Sequence, residues 1–162
     1  MDKPALLKWA NKQGLQGIDI SIDRDKYLRA GTSIHSQIEN FHVNKTPFQN
    51  PAHENNYKRF ISGKIILDME TEIETEWFTG RYDMRYKHGE TVYLVDFKNN
   101  SKGVYFENKL QLVAYSMACE CDRIAVISVP EFVTYHIVIE DRKPYEEIIK
   151  ALSIIHQNKA LI

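Results

Sequence analysis

Residues 93–98 read Tyr-Leu-Val-Asp-Phe-Lys, and no other stretch constrains this chain's fold as tightly. Tyr93, Leu94 and Val95 have the character of an interior strand, an apolar run without polar alternation. Asp96 and Lys98 then follow where the strand should still be buried. Charges in a core cost several kcal/mol unless they are paired or hold a metal ion. Side chains two apart on a strand share a face, so Asp96 and Lys98 point the same way.

The flanking sequence supplies the rest of a sheet. "METEIETEWF" alternates, with Glu72, Glu74 and Glu76 on one side and Thr71, Ile73, Thr75 and Trp77 on the other, as in a half-buried strand. "GRYDMRY", a turn at "KHGE" and "TVYLVDF" follow as a hairpin. "RIAVISV" and "VTYHIVI" are two further strands, separated at Pro130. Helical spacing predicts helices over residues 4–14, 25–43 and 52–66, then 107–120 and 143–161, the last strongly amphipathic. The order is helices, a three-strand meander, helix, strands, helix. That is an α/β protein with a central mixed β-sheet flanked by helices. With 162 residues, the chain fits one domain spanning 1–162.

Counting across the hairpin locates the charges. With His88 and Gly89 at the turn centre, Lys87 pairs with Glu90, Asp83 lies opposite Leu94, and Arg81 lies opposite Asp96. Asp83 is then a diagonal neighbour of Asp96 on one face, about 7–8 Å away at Cα. Two carboxylates this close repel unless a proton or a cation lies between them. Mg²⁺ or Mn²⁺ suits oxygen ligands, at about 2.0–2.1 Å. Lys98 beside such an ion could orient an attacking water or stabilise charge on a phosphate. A salt-bridge ladder of Asp, Lys and Arg on a solvated face has the same spacing.

Composition excludes other classes. The chain is 43% hydrophobic and 27% charged with a net charge of -1, which is a globular balance and not that of a disordered chain. The near-zero charge advertises no broad nucleic-acid surface, so phosphate contact must come from a local patch or a cation. Cys119 and Cys121 are spaced too tightly for an easy disulfide and are too few for a zinc or iron–sulfur site, so reduced thiols and a cytoplasmic setting are expected. No stretch approaches the ~20 apolar residues of a membrane span, and the N-terminus lacks the apolar run of a signal peptide.

Four motifs in order, "GTSIHSQIE", "GRYD", "YLVDFK" and "QLVAY", resemble the PD-(D/E)xK nuclease superfamily. The similarity is to its RecB-like exonuclease branch, with phage exonucleases and the mitochondrial genome-maintenance exonuclease. It covers about residues 28–130 and implies a restriction-endonuclease-like αβββαβ core. On that resemblance His35, Asp83, Asp96 and the Phe97 carbonyl would ligate Mg²⁺ or Mn²⁺. Asp83, Asp96 and Lys98 would carry catalysis, and Gln111 and Tyr115 would position DNA or hold the site together. Arg81 would assist beside them, and Glu39, four residues from His35, would orient that ring or contact a second ion. Relatives often carry an acid before the motif glycine; Glu76 is a guess among Glu72, Glu74 and Glu76. Asn99 departs from the Thr or Ser many relatives have after the motif lysine. Two cysteines do not match the four that hold an iron–sulfur cluster in several relatives, so none is expected.

The resemblance implies a metal-dependent deoxyribonuclease, acting as an exonuclease on single-stranded DNA or DNA ends in replication, recombination or repair. A structure-specific or restriction-like endonuclease, and an inactive DNA-binding or assembly module of the same fold, are the alternatives. Cytoplasmic location in a bacterium or phage-infected cell follows from the same likeness.

Overall fold

A computed structural model of the protein describes residues 34–99 and 103–158. The expected helix over 4–14, and residues 25–33 of the second, lie outside these. Helix α1 runs through residues 34–43. Helix α2 (Pro51–Ile61) starts where the Asn50 side chain accepts the Ala52 N–H at 2.9 Å and Pro51 takes the first turn. It ends five residues short of the expected boundary. Gly63 adopts φ +73° just after the Ser62 cap, and a helix stops readily at such a glycine.

The chain then enters a five-stranded sheet: β1 (Ile65–Glu74), β2 (Thr79–His88), β3 (Thr91–Lys98), β4 (Arg123–Ser128) and β5 (Val133–Ile137). Their spatial order follows the chain order. β3 pairs with β4 in parallel, and the other neighbours are antiparallel. Helix α3 (Phe106–Ser116) crosses between the parallel strands, and α4 (Lys143–Gln157) follows β5. This is an α/β molecule with a mixed sheet and four helices among the described residues. No helix among the described residues is long and apolar enough to cross a membrane.

Each face of the sheet has its own core. Val95, Phe97, Met84, Tyr86, Ala125 and Ile127 pack with Ile34 and Ile38 of α1 and Tyr57 and Phe60 of α2. Leu94, Tyr82, Ile124 and Val126 pack with Leu112, Val113 and Tyr115 of α3 and Ile149 of α4. Residues 94–97 of β3, with a strand on either side, are therefore buried on both faces, which is why Leu94, Val95 and Phe97 are apolar and Asp96 stands out.

The hairpin register differs from the counted one. Met84 pairs with Val95 and His88 with Thr91, so the turn is Gly89–Glu90, with Gly89 at φ +59°. Glycine suits a left-handed first turn position. The ladder moves by two residues, which preserves parity, and it stops at Met84–Val95; Asp83 meets β3 through its side chain, whose Oδ2 accepts the Phe97 N–H. Arg81 lies beyond the last pair with β3 and pairs with Glu72 of β1, not with Asp96.

Candidate active site

The site forms where β3 ends. Asp96 is 1% exposed. The Lys98 ammonium lies 2.6 Å from its Oδ2, a charge-assisted pair. Its Oδ1 has no hydrogen-bond partner among the described residues. Buried polar atoms are nearly always bonded, so that second oxygen is left open to a further partner. Asp83 is also buried, with its Oδ2 accepting the Phe97 N–H at 2.7 Å. Burial, and then the charge of Asp96, push the Asp83 carboxyl up to about 6. Burial disfavours the charged form of Lys98, but Asp96 and Asp83 outweigh it and hold the ammonium above the ordinary lysine value.

Helix α1 brings in His35. Its Nε2 lies 3.0 Å from the Phe97 carbonyl oxygen, as a hydrogen bond does, and its Nδ1 lies 3.8 Å from Asp83 Oδ2. Glu70 joins them: one donor atom each from His35, Glu70 and Asp83 falls within 4.8 Å of the others. An octahedral ion with donors at about 2.1 Å would set neighbouring donors about 3 Å apart. Imidazole, carboxylates and a carbonyl oxygen together suit a divalent cation of the Mg²⁺ or Mn²⁺ type.

Helix α3 closes the other side. Lys98 Nζ donates to Gln111 Oε1 at 3.3 Å, and Gln111 Nε2 donates to the Tyr115 hydroxyl at 2.8 Å. Gly80 explains the glycine of "GRYD": a Cβ there would stand 2.8 Å from Tyr115 Cε1. The tyrosine ring needs that missing side chain to sit against β2.

Of the residues expected from sequence, the structure brings together His35, Asp83, Asp96, Phe97, Lys98, Gln111 and Tyr115. Three others go elsewhere. Arg81 pairs with Glu70 at 3.0 Å and touches the acidic cluster through it. Glu39 is exposed on α1, and the His35 ring is held by Asp83 and Phe97 instead. Glu76 is exposed beyond the end of β1.

The acid that does enter from β1 is Glu70, which the sequence reading missed. It stands between the pairs Met69–Met84 and Thr71–Tyr82, across from Asp83, at φ +47°. Strand parity groups Glu70 with the outward Glu72 and Glu74, but a left-handed residue breaks the pleat and re-aims its side chain. Nearby, Asp68 follows a register shift and is clamped by Tyr82 Oη at 2.8 Å and by Arg85. Left-handed backbone at a non-glycine residue is costly and clusters at functional sites.

No family model matches the chain, and no curated protein matches it. A crystal structure of SSO0001 is similar at a TM-score of 0.39 and 14% identity, over 82% of this chain and 71% of that one. A likeness that loose transfers neither fold nor activity.

Proposed function

We propose that the protein is a metal-dependent nuclease that hydrolyses phosphodiester bonds of DNA, built on a restriction-endonuclease-like core. The observation that carries this reading is the pair of buried carboxylates, Asp83 and Asp96, with Lys98 2.6 Å from one Asp96 oxygen and the other oxygen unpartnered among the described residues. One lysine offsets one of the two acids, and the second negative charge suits a cation.

Asp83, Asp96, His35 and the Phe97 carbonyl would hold Mg²⁺ or Mn²⁺, with Glu70 as a further acid. The cation supplies charge neutralisation at the phosphate when bound. Lys98, held protonated by its two acids, presents a positive charge to non-bridging phosphate oxygens as water attacks phosphorus and the bond to the leaving sugar oxygen breaks. Gln111 fixes the Lys98 ammonium from α3, and Tyr115 fixes Gln111. Action from an end of a single strand is carried by the resemblance noted above.

End-labelled linear single-stranded, duplex and circular single-stranded DNA, incubated with Mg²⁺ or Mn²⁺ and with EDTA, test the proposal. Cation-dependent loss of the linear strand, abolished in Asp96→Asn, is expected. Equal cutting of the circle would reject the exonuclease in favour of an endonuclease. Digestion unaffected by EDTA would reject the metal.

A further inference from the structure

The candidate active site occupies one end of the sheet, and the other end carries chemistry of its own. β4 runs parallel to β3, with Tyr93 beside Arg123 and Lys98 beside Ser128. The turn that leads into β4 therefore lies at the end of β3 remote from Lys98. Cys119 and Cys121 sit in that turn, both half-buried and both free thiols. The chain is pinned at the residue after each of them. Arg85 Nη1 donates to the Glu120 carbonyl at 2.8 Å. The Asp122 N–H donates to the Val92 carbonyl at 2.8 Å, and Asp122 Oδ2 accepts the Val92 N–H at 2.7 Å. These anchors hold the two sulfurs together. The Cys119 thiol is within hydrogen-bonding reach of the Cys121 sulfur and lies 3.3 Å from the Tyr115 carbonyl oxygen.

The two thiols are not equivalent. Cys121 lines a cavity of about 380 Å³ whose wall also carries Arg123, His136 and Arg142, with one acid, Asp122, engaged by the Val92 N–H. Arg142 is steadied by donating to the Ser116 hydroxyl. Cys119 is not part of that wall. The hydrogen bond from Cys119, and then the Arg142 and Arg85 charges, outweigh burial and hold the Cys121 thiol below the ordinary cysteine value, while the same bond and burial raise Cys119. A sulfur with thiolate character, open to a cavity and backed by a protonated thiol, is the arrangement in which one sulfur attacks and the other resolves. Two-residue spacing suits no structural staple, but strained disulfides are the labile, exchanging kind.

We infer that Cys119 and Cys121 form a thiol–disulfide exchange pair that reacts with small anionic disulfides such as glutathione disulfide. The Cys121 thiolate attacks one sulfur of that disulfide. A protein–glutathione bond forms, the original S–S bond breaks, and one glutathione leaves as its thiolate and takes up a proton. The Cys119 thiol gives up its proton and attacks the Cys121 sulfur, which closes the Cys119–Cys121 bond and releases the second glutathione. Two protein thiols are oxidised and one disulfide is reduced to two thiols. Arg123 and Arg142 supply positive charge for the carboxylates of the incoming disulfide. Neither cysteine enters the nuclease reading, which stands or falls separately.

The reduced full-length chain, incubated with glutathione disulfide, alkylated and weighed by intact-mass spectrometry, tests the pair. Wild type should lose both thiols and retain no glutathione, whereas Cys119→Ser should trap glutathione on Cys121. Cys119→Ser should also react at least about tenfold faster than Cys121→Ser. In the unsubstituted chain, limiting iodoacetamide should label Cys121 ahead of Cys119, which checks the order without a variant. Arg142→Gln should slow the reaction with glutathione disulfide more than that with the neutral bis(hydroxyethyl) disulfide. Wild type that keeps both thiols, or that holds glutathione without closing the ring, overturns the inference, as does equal reactivity of the two sulfurs. An equal effect of Arg142→Gln on both disulfides overturns the preference for anions.

Discussion

Asp83 and Asp96 sit where one carboxylate would be tolerable and two are not. The Asp83 carboxyl, ordinarily near 3.8, is pushed up to about 6 by burial and by Asp96. Between those pH values the folded protein holds a proton that the unfolded chain releases. Stability present below about 4 is therefore lost as pH rises through 6, by about 3 kcal/mol in the absence of a cation. Asp83→Asn should thus raise the melting temperature in EDTA at pH 7.5 by roughly 5 °C and flatten the stability profile between pH 4 and 6. A thermal melt series checks both; an unchanged profile would mean Asp83 does not carry the strain. Gly80 makes a second case. Gly80→Ala drives a methyl into the buried Tyr115 ring, so it should cost about 1–3 kcal/mol in urea unfolding. It should also lower the cleavage rate, although no charged group is removed. Asp96 and Lys98 were legible from strand parity, and hairpin counting brought Asp83 near them although it was two residues out. His35, Gln111 and Tyr115 came from the motif resemblance, with which four-residue helical spacing is compatible.

Elements were legible where periodicity alone decides them, and illegible where a single backbone angle overrides it. The α2 boundary moved because Gly63 turns left-handed before Ile65 and Ile66, whose apolar side chains suit a helix or a strand equally. Glu70 was invisible for a related reason. Its place in the alternation assigns it to solvent with Glu72 and Glu74, and only its φ of +47° brings it to His35 and Asp83. Strand β1 is thus a device for delivering one acid against its own pattern. Two substitutions separate backbone from carboxylate. Glu70→Gln keeps the left-handed strain and loses the charge, whereas Glu70→Gly relieves the strain and loses the charge. Isothermal titration with Mn²⁺ should show affinity reduced about tenfold or more in both. Urea unfolding without cation should find the glycine variant no less stable than the glutamine variant. Wild-type affinity in both would remove Glu70 from the ion's surroundings.

Taken whole, the molecule uses the central strand of its sheet as the platform for the buried acids of the candidate site. β3 is held between an antiparallel and a parallel neighbour and covered by helices on both faces, so Asp96 and Lys98 are aimed by the rigid centre of the sheet. α1 contributes His35 from one layer, and α3 contributes Gln111 and Tyr115 from the other, so the site exists only when both cores are packed. The α/β architecture was legible from the order of strands and helices. A sheet flanked by helices was legible too, but which face each helix covers was not, because that depends on pairings distant in sequence. The central claim is that Lys98 and the acids beside it cleave phosphodiesters with a divalent cation. Its most direct test is the rate at which wild type and Lys98→Met degrade end-labelled single-stranded DNA in Mn²⁺. The account predicts rapid cation-dependent degradation by wild type, and a loss of at least about 100-fold in a folded Lys98→Met protein. An intact labelled strand with wild type, or wild-type rates from Lys98→Met, would contradict it.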